Sequence, residues 1–523
     1  MICNIRYINS VSNLLPGYIM KKIIINKNPW QTRIAILDNN ELQNVYFAPH
    51  QETTLERSFF KGIITKVLPG MQSAFVDIGQ EKSGFLHISE VDHELALQKI
   101  SSSAQLDDDD TTVKQPRQQR TPQDIQNIFK EGDPVLVQVS KEPIYEKGAK
   151  LTTCFTLPGR FIVLMPNIPR IGISKKIESR EERARLKELV QTHLPKGMGA
   201  IIRTTSENCD DKNLIKDITF LVQTWKTIQK KFKAAPSVEK IHEDLELSFQ
   251  VVRDSLDDDI EFIVIDDKTA QAAMHKFIKK IAPEYSQRIT LFTEKTNIFD
   301  YFNITKQIEA ALKKRVDLKS GGSLIIESTE AMTVIDVNTG RFTGKKNLED
   351  TILKTNLEAA QEVVRQLRLR NIGGLIVIDF IDMASGAHRN KLFNVLGKTL
   401  KEKDKFQSVV LKVSEFGLVE MTRKRSGKTL VQQLTQTCAA CTGLGFVKSI
   451  QTECYEIFHE LIAILLQEKA HKKFIIQVSA AMFDYITSVE YDPILQLEKT
   501  YACKLEIMRQ SNFSSGQYKI EKA

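Results

Sequence analysis

Two apolar runs in the middle of the chain end in acids. They are Ala331-Met332-Thr333-Val334-Ile335-Asp336-Val337-Asn338 and Gly374-Leu375-Ile376-Val377-Ile378-Asp379-Phe380-Ile381-Asp382. Their length and β-branched content predict buried strands, and in α/β sheets ligands bind beyond the carboxyl ends of strands. If the two strands are neighbours, Asp336 and Asp379 converge, and like charges that close are costly unless a cation sits between them. Paired hard oxygen ligands, with water completing the shell, suit Mg²⁺. Either acid alone could simply end a strand or cap a helix. Both together, with Asn338 spaced to hold one carboxylate, point to a metal-assisted site in which Asp382 is a supporting group.

A second set of residues could bind rather than react. In Ser73 to Ile78 and Gly84 to Ile88, strand alternation turns Ala74, Val76, Leu86 and Ile88 inward and leaves Phe75, Phe85 and His87 on the polar face. Outward phenylalanines on adjacent strands suit base stacking, and Lys141 and Lys147 are near enough in sequence to hold phosphate. The opposite assignment, with both rings in the core, fits the alternation too. Cys438-Ala439-Ala440-Cys441-Thr442-Gly443-Leu444-Gly445 has the spacing and trailing glycines of a zinc knuckle. Structural zinc takes four ligands and the other cysteines are single, so the second pair could come from another copy across a twofold axis. A redox motif or two idle thiols fit the same spacing.

The elements that must carry these groups follow from pattern. Residues 54–90 and 134–139 read as strands of one small barrel, separated by a polar, acidic and Gln-rich insertion over 91–129. Helices are expected over 179–193 and 210–233, with Trp225 on the apolar face of the second. Strands over 322–327, 331–337, 374–380 and 407–413 alternate with helices over 351–369 and 388–402, an α/β arrangement. Met20-Lys21-Lys22 before an isoleucine run reads like a fresh start, which would make 1–19 an upstream extension. The chain has 523 residues, enough for three or four domains, a net charge of 73 − 65 = +8, and seven scattered cysteines. This excludes a secreted disulfide scaffold and a collagen-like or low-complexity chain. The longest apolar run, Leu461 to Leu466, is far too short for a bilayer, so the expectation is a cytoplasmic, multidomain protein.

Several stretches then carry a resemblance. Asn356-Leu357-Glu358-Ala359-Ala360, Arg365 to Gly374, Leu375 to Met383, Glu415-Phe416-Gly417-Leu418-Val419-Glu420 and Met421-Thr422-Arg423-Lys424-Arg425 resemble the hallmark segments of the ribonuclease E/G family. The similarity runs from about Met20 to the C-terminus. It implies an endoribonuclease of RNA processing and decay, acting on single-stranded RNA such as rRNA precursors and mRNA. Catalysis would rest on Asp336, Asp379 and Asn338, with Mg²⁺ held by the two aspartates and Asn338 orienting Asp379. Phe75, Phe85 and Lys147 match RNA-contacting positions. Arg203 and Thr204 match a 5′-phosphate sensor whose pocket Gly159 and Val163 line. Cys438 and Cys441 match a zinc link that joins copies into a homodimer or homotetramer.

The fold implied is multidomain α/β and β. An interrupted RNase H-like domain occupies 20–53 and 249–311, an S1-type oligonucleotide-binding barrel 54–153 and a 5′-end sensor 154–248. A DNase I-like α/β catalytic domain spans 312–433, the zinc link 434–447, and a small α/β domain 448–523. The short segment after the cysteine pair resembles the G-type layout. One departure stands out: Gln407 occupies a position that is usually basic in the family, with Lys405 nearby as a substitute. The competing expectation from another class is a non-catalytic RNA-binding scaffold built on the S1 barrel.

Overall fold

The computed structural model describes residues 21–50, 55–91, 125–143, 148–256, 259–340, 348–467, 473–514 and 516–522. The expected extension 1–19, Lys147 and most of the 91–129 insertion lie outside these residues. The chain forms two compact units, one ending at Gln433 and one beginning at Leu434.

In the first unit, Lys21–Lys27 forms the middle of a five-stranded sheet. It runs antiparallel to Gln31–Asp38 and parallel to Ile260–Ile265, so the chain leaves this sheet after Pro49 and returns two domains later. Its isoleucines alternate between two cores. Ile24 packs with Phe299, Phe302 and Ile308, whereas Ile23 and Ile25 pack with Val252, Met274 and Ile278. A strand buried on both faces reads as an unbroken apolar run, as this one does.

Between those halves, Phe59–Leu68, Ser73–Asp77, Gly84–His87, Pro134–Lys141 and Lys150–Thr152 close into a barrel. The neighbours run first, second, third, fifth, fourth, and the fourth pairs back with the first. Third and fifth strands are parallel. This is the Greek-key closure of a five-stranded barrel. Gly84 faces inward where a Cβ would lie 2.5 Å from Leu151 Cδ1, so the glycine leaves room for the Leu151 side chain between these strands. A sixth strand, Glu239–His242, adds to the first barrel strand from far along the chain.

Next to the barrel is a four-stranded sheet, Leu157–Pro158, Ile162–Met165, Gly199–Ile202 and Ile171–Ile173. It is covered by helices Arg180–His193 and Asp211–Ala234. Ser179 and Asp210 cap these through side-chain oxygens, at the expected starts. Leu214, Ile218, Leu221, Trp225 and Ile228 form the buried stripe of the longer helix, each worth about 1.5–3 kcal/mol of burial.

The α/β part has the strand order Arg315–Asp317, Ser323–Ser328, Met332–Asn338, Gly374–Asp379, Leu418–Arg423, Ser408–Val410. Helices Leu348–Leu369 and Gly386–Lys403 bury one face against Ile335, Val337, Ile376, Ile378 and Val419. The last strand, Ser408–Val410, is shorter than the expected 407–413; beyond it Leu411 N–H donates to Glu420 O and Ser414 N–H to Leu418 O, both at 2.9 Å. In the second unit, Lys473–Ser479 lies between Lys504–Gln510, parallel, and Tyr518–Lys522, antiparallel. Helix Ile450–Gln467 packs Cys454, Ile457, Phe458 and Leu461 on this sheet. Among the described residues, no helix is long and apolar enough to cross a membrane.

Candidate active site

The two acid-ended strands are neighbours, and they are parallel. Register pairs Asp336 directly with Asp379 at their carboxyl ends, and adjacent strands lie about 4.8 Å apart. Alternation does the rest: Ile335, Val337 and Ile378 are buried under the helices, so both aspartates emerge on the opposite, open face. Desolvation first, then the carboxylates of Asp336 and Asp382, push the Asp379 carboxyl above its ordinary range. Asn338 Nδ2 donates to Asp336 Oδ2 at 2.7 Å. The asparagine therefore holds Asp336 and not Asp379, a correction to the expected pairing: two residues along one strand share a face.

Behind Asp379 the strand end is pinned by Asn356, fully buried, which donates to Ile381 O at 2.8 Å and accepts from Ile381 N at 3.1 Å. The turn Glu415-Phe416-Gly417 closes the other side. Gly417 has φ +78°, and its carbonyl oxygen accepts from Phe380 N–H at 3.3 Å. Phe416 on this turn is 79% exposed, beside the register partner of Asp379. In the sequence Phe416 stands out only as part of the family-like stretch Glu415 to Glu420, with no role of its own; an aromatic in a glycine turn is the signal for one.

On the barrel, Phe75 and Phe85 are register partners with ring centroids 5.9 Å apart, edge to face. Their neighbours Ala74, Val76 and Leu86 are fully buried, so the rings are on the outer face. His87 stacks on Phe85 at 6.4 Å, extending the platform to three rings. Across the barrel, Lys66, Phe75, Phe85, Lys150 and Lys141 occupy one register row. Lys150 is held by Glu90 at 2.5 Å.

Arg203 and Thr204 follow strand Gly199–Ile202 and, with Val163, Lys405 and Gln407, line a cavity of about 1030 Å³. Arg203 Nη1 donates to Gly159 O at 2.7 Å and to Asp254 Oδ1 at 2.8 Å. Among the described residues its Nε and Nη2 edge has no partner, and this edge is the fork that matches a phosphate. Thr204 Oγ1 lies 2.9 Å from Ser174 Oγ. Gly159 contributes its carbonyl. Burial alone would raise the Asp254 carboxyl, but Arg203 and Arg253 hold it down at about 2. Lys405 lies over the Tyr46 and Phe406 rings at 5.6 and 5.5 Å. The floor is the fully buried pair Arg423–Asp404, 2.6 Å. No local signal marked Asp254, which reaches the site from a helix fifty residues beyond Arg203.

In the second unit, Thr442, Gly443 and Gly445 all have positive φ. These turns bring the Gly445 and then the Gly443 amides onto the Cys441 sulfur, which lowers its thiol below the ordinary range. Among the described residues no third Cys, His, Asp or Glu joins the pair.

The sequence profile of the Ribonuclease E/G family matches residues 156–426, and that of the RNase E/G thioredoxin-like domain matches 437–523. The chain is 37% identical over 500 residues to Ribonuclease G of Haemophilus influenzae, covering 95% of this chain and 99% of that protein. It is 35% identical over 499 residues to Ribonuclease G of Escherichia coli K12, with the same coverage. Ribonuclease E of Escherichia coli K12 is 35% identical over 458 residues, 87% of this chain and 41% of that protein. With the paired aspartates, the closed barrel and similarity along nearly its whole length, the chain belongs to the Ribonuclease E/G family.

Proposed function

We propose that this chain is an endoribonuclease that cleaves single-stranded RNA in RNA processing and decay, depends on Mg²⁺, and favours 5′-monophosphorylated ends. The observation that carries the reading is the register pairing of Asp336 with Asp379 on an open sheet face, in a chain whose relatives are named ribonucleases. The donor set fits the metal. Two carboxylates side by side, one with its acidity already weakened by its neighbours, are a pair that a hard divalent cation relieves. When bound there, Mg²⁺ supplies an activated water and neutralises charge on the scissile phosphate. Asn338 fixes the rotamer of Asp336, and Asn356 fixes the strand end that carries Asp379. Attack by water on phosphorus leaves a 5′-phosphate and a 3′-hydroxyl.

In this reading the barrel is the S1-type domain over 54–153, whose outer rings Phe75, Phe85 and His87 stack bases while Lys66 and Lys141 face the backbone, Lys147 acting with them. The segment 154–248 is the 5′-end sensor, where the free edge of Arg203 and the Thr204 hydroxyl take a terminal phosphate, and Lys405 supplies the charge that Gln407 lacks. The halves 20–53 and 249–311 form the RNase H-like domain, 312–433 the DNase I-like catalytic domain, 434–447 the zinc link and 448–523 the small domain. Cys438 and Cys441 fit zinc in their spacing and in the amides turned toward sulfur, and they form half of a tetrahedral set.

The test is cleavage of a short single-stranded RNA in Mg²⁺. Asp336→Asn and Asp379→Asn are each expected to abolish cleavage while RNA binding persists, because stacking and backbone contacts lie elsewhere. Near-normal turnover in either variant would refute the assignment. The scaffold alternative is not favoured, given relatives named as ribonucleases.

A further inference from the structure

Asp217 is an acid inside an apolar stripe. On helix Asp211–Ala234 it falls between Leu214 and Ile218 on the buried side, and it is 8% exposed. A carboxylate there is costly unless its oxygens are fully hydrogen-bonded. Both oxygens find donors: Oδ1 accepts from Arg160 N–H at 3.3 Å, and Oδ2 accepts from Phe161 N–H at 2.9 Å and Ile162 N–H at 3.3 Å, although burial still pushes the carboxyl above its ordinary range. Three successive amides of one loop converge on one side chain. The glycine before them, Gly159, must lack a Cβ, because one would collide with both Asp217 carboxylate oxygens.

The same loop grips Arg203. Gly159 O accepts from Arg203 Nη1, and Phe161 O accepts from Arg203 N–H at 2.8 Å. Thr205 Oγ1 donates to Arg160 O at 2.7 Å and Ser206 Oγ to Phe161 O at 2.6 Å. On the far side, Pro158 O accepts from Arg253 Nη1 at 2.8 Å, and Arg253 bonds Asp254, the second partner of Arg203. The amides of 160–162 face Asp217, whereas the Pro158 and Gly159 carbonyls face the side chains of Arg253 and Arg203.

We propose that Asp217 is a positioning residue for 5′-end recognition: by drawing the amides of 160–162 inward it aims the Gly159 carbonyl at Arg203 Nη1, which leaves the Nε–Nη2 edge free for a terminal phosphate. The inference rests on the end-sensing reading above. Without the carboxylate the loop carbonyls no longer hold one direction, and the guanidinium turns away from the cavity.

The test compares one RNA oligonucleotide carrying a 5′-monophosphate or a 5′-hydroxyl, cleaved by the full chain and by Asp217→Asn. The readout is the ratio of the two rates, which a general loss of folded protein leaves unchanged. The amide keeps the size of the side chain but points an NH₂ at backbone N–H groups. The wild-type ratio is expected to fall roughly tenfold, the worth of one charge-assisted contact. A folded Asp217→Asn protein that keeps the wild-type ratio overturns the proposal. If Asp217→Asn fails to fold, the pair Thr205→Val, Ser206→Ala releases the same loop from its other side, and a retained ratio there overturns it equally. A wild-type ratio of one would instead refute end sensing itself, and the proposal with it.

Discussion

Asp254 and Asp379 are driven in opposite directions by what surrounds them. Asp379 has only burial and two more carboxylates for company, whereas Asp254 lies between two guanidinium groups that overcome its burial. The consequence for Asp254 can be measured. Its carboxyl falls from the ordinary 3.8 to about 2 on folding, so its contribution to stability is present above about pH 4 and is lost as pH falls toward 2. Between those values the stability of the wild-type protein is expected to drop more steeply than that of Asp254→Asn in chemical denaturation. The difference should shrink with added salt, since the side chain is one-third exposed. Equal slopes would show that the Arg203–Asp254 pair carries no such linkage.

Strands and helices carry these groups through junctions that hold more than one of them. Arg423, at the end of its strand, bonds Asp404 just past the end of a helix and also donates to Ile372 O at 2.6 Å. Both partners are about 1% exposed. Arg423→Met leaves a carboxylate buried without its cation, and a loss of ~3–5 kcal/mol in denaturant unfolding is expected. A loss below about 1 kcal/mol would mean that water or Lys176, whose Nζ donates to Asp404 O at 2.6 Å, compensates. These elements were legible in outline. The capped helices begin within a residue or two of their sequence signals, and period-two alternation correctly turned Phe75 and Phe85 outward. The sixth strand on the barrel, Glu239–His242, was not legible, since its short polar sequence acquires strand form only by pairing with Phe59–Lys61.

For the molecule as a whole, the proposed zinc link makes the cysteine pair of the second unit the place to test assembly. With two cysteine sulfurs and no third ligand beside them among the described residues, the expected stoichiometry is about one zinc per two chains, because structural zinc completes four ligands. Cys438→Ser with Cys441→Ser is expected to lose both zinc and dimer, read by metal analysis and by sedimentation of the purified protein. One zinc per monomer would require ligands from elsewhere in the same chain and would end the shared-site idea.

What can be read along the chain is whatever repeats locally. An apolar run ending in an acid, an aromatic out of phase with its strand and a Cys-x-x-Cys followed by glycines all carry their meaning within about ten residues. Asp336, Asp379, Phe75, Phe85, Cys438 and Cys441 are candidates read that way. Their partners were decided by packing. That Asp336 faces Asp379 in register depends on a parallel pairing across an intervening helix, and that Asn338 serves Asp336 depends on which face of the strand is open. Gly159, Arg203, Asp217 and Asp254 come from two strand ends and two helices, and no sequence period relates them. An aspartate at position 217 reads along the helix as a flaw in an apolar stripe; folded, it meets three loop amides that offset part of the cost of burying it.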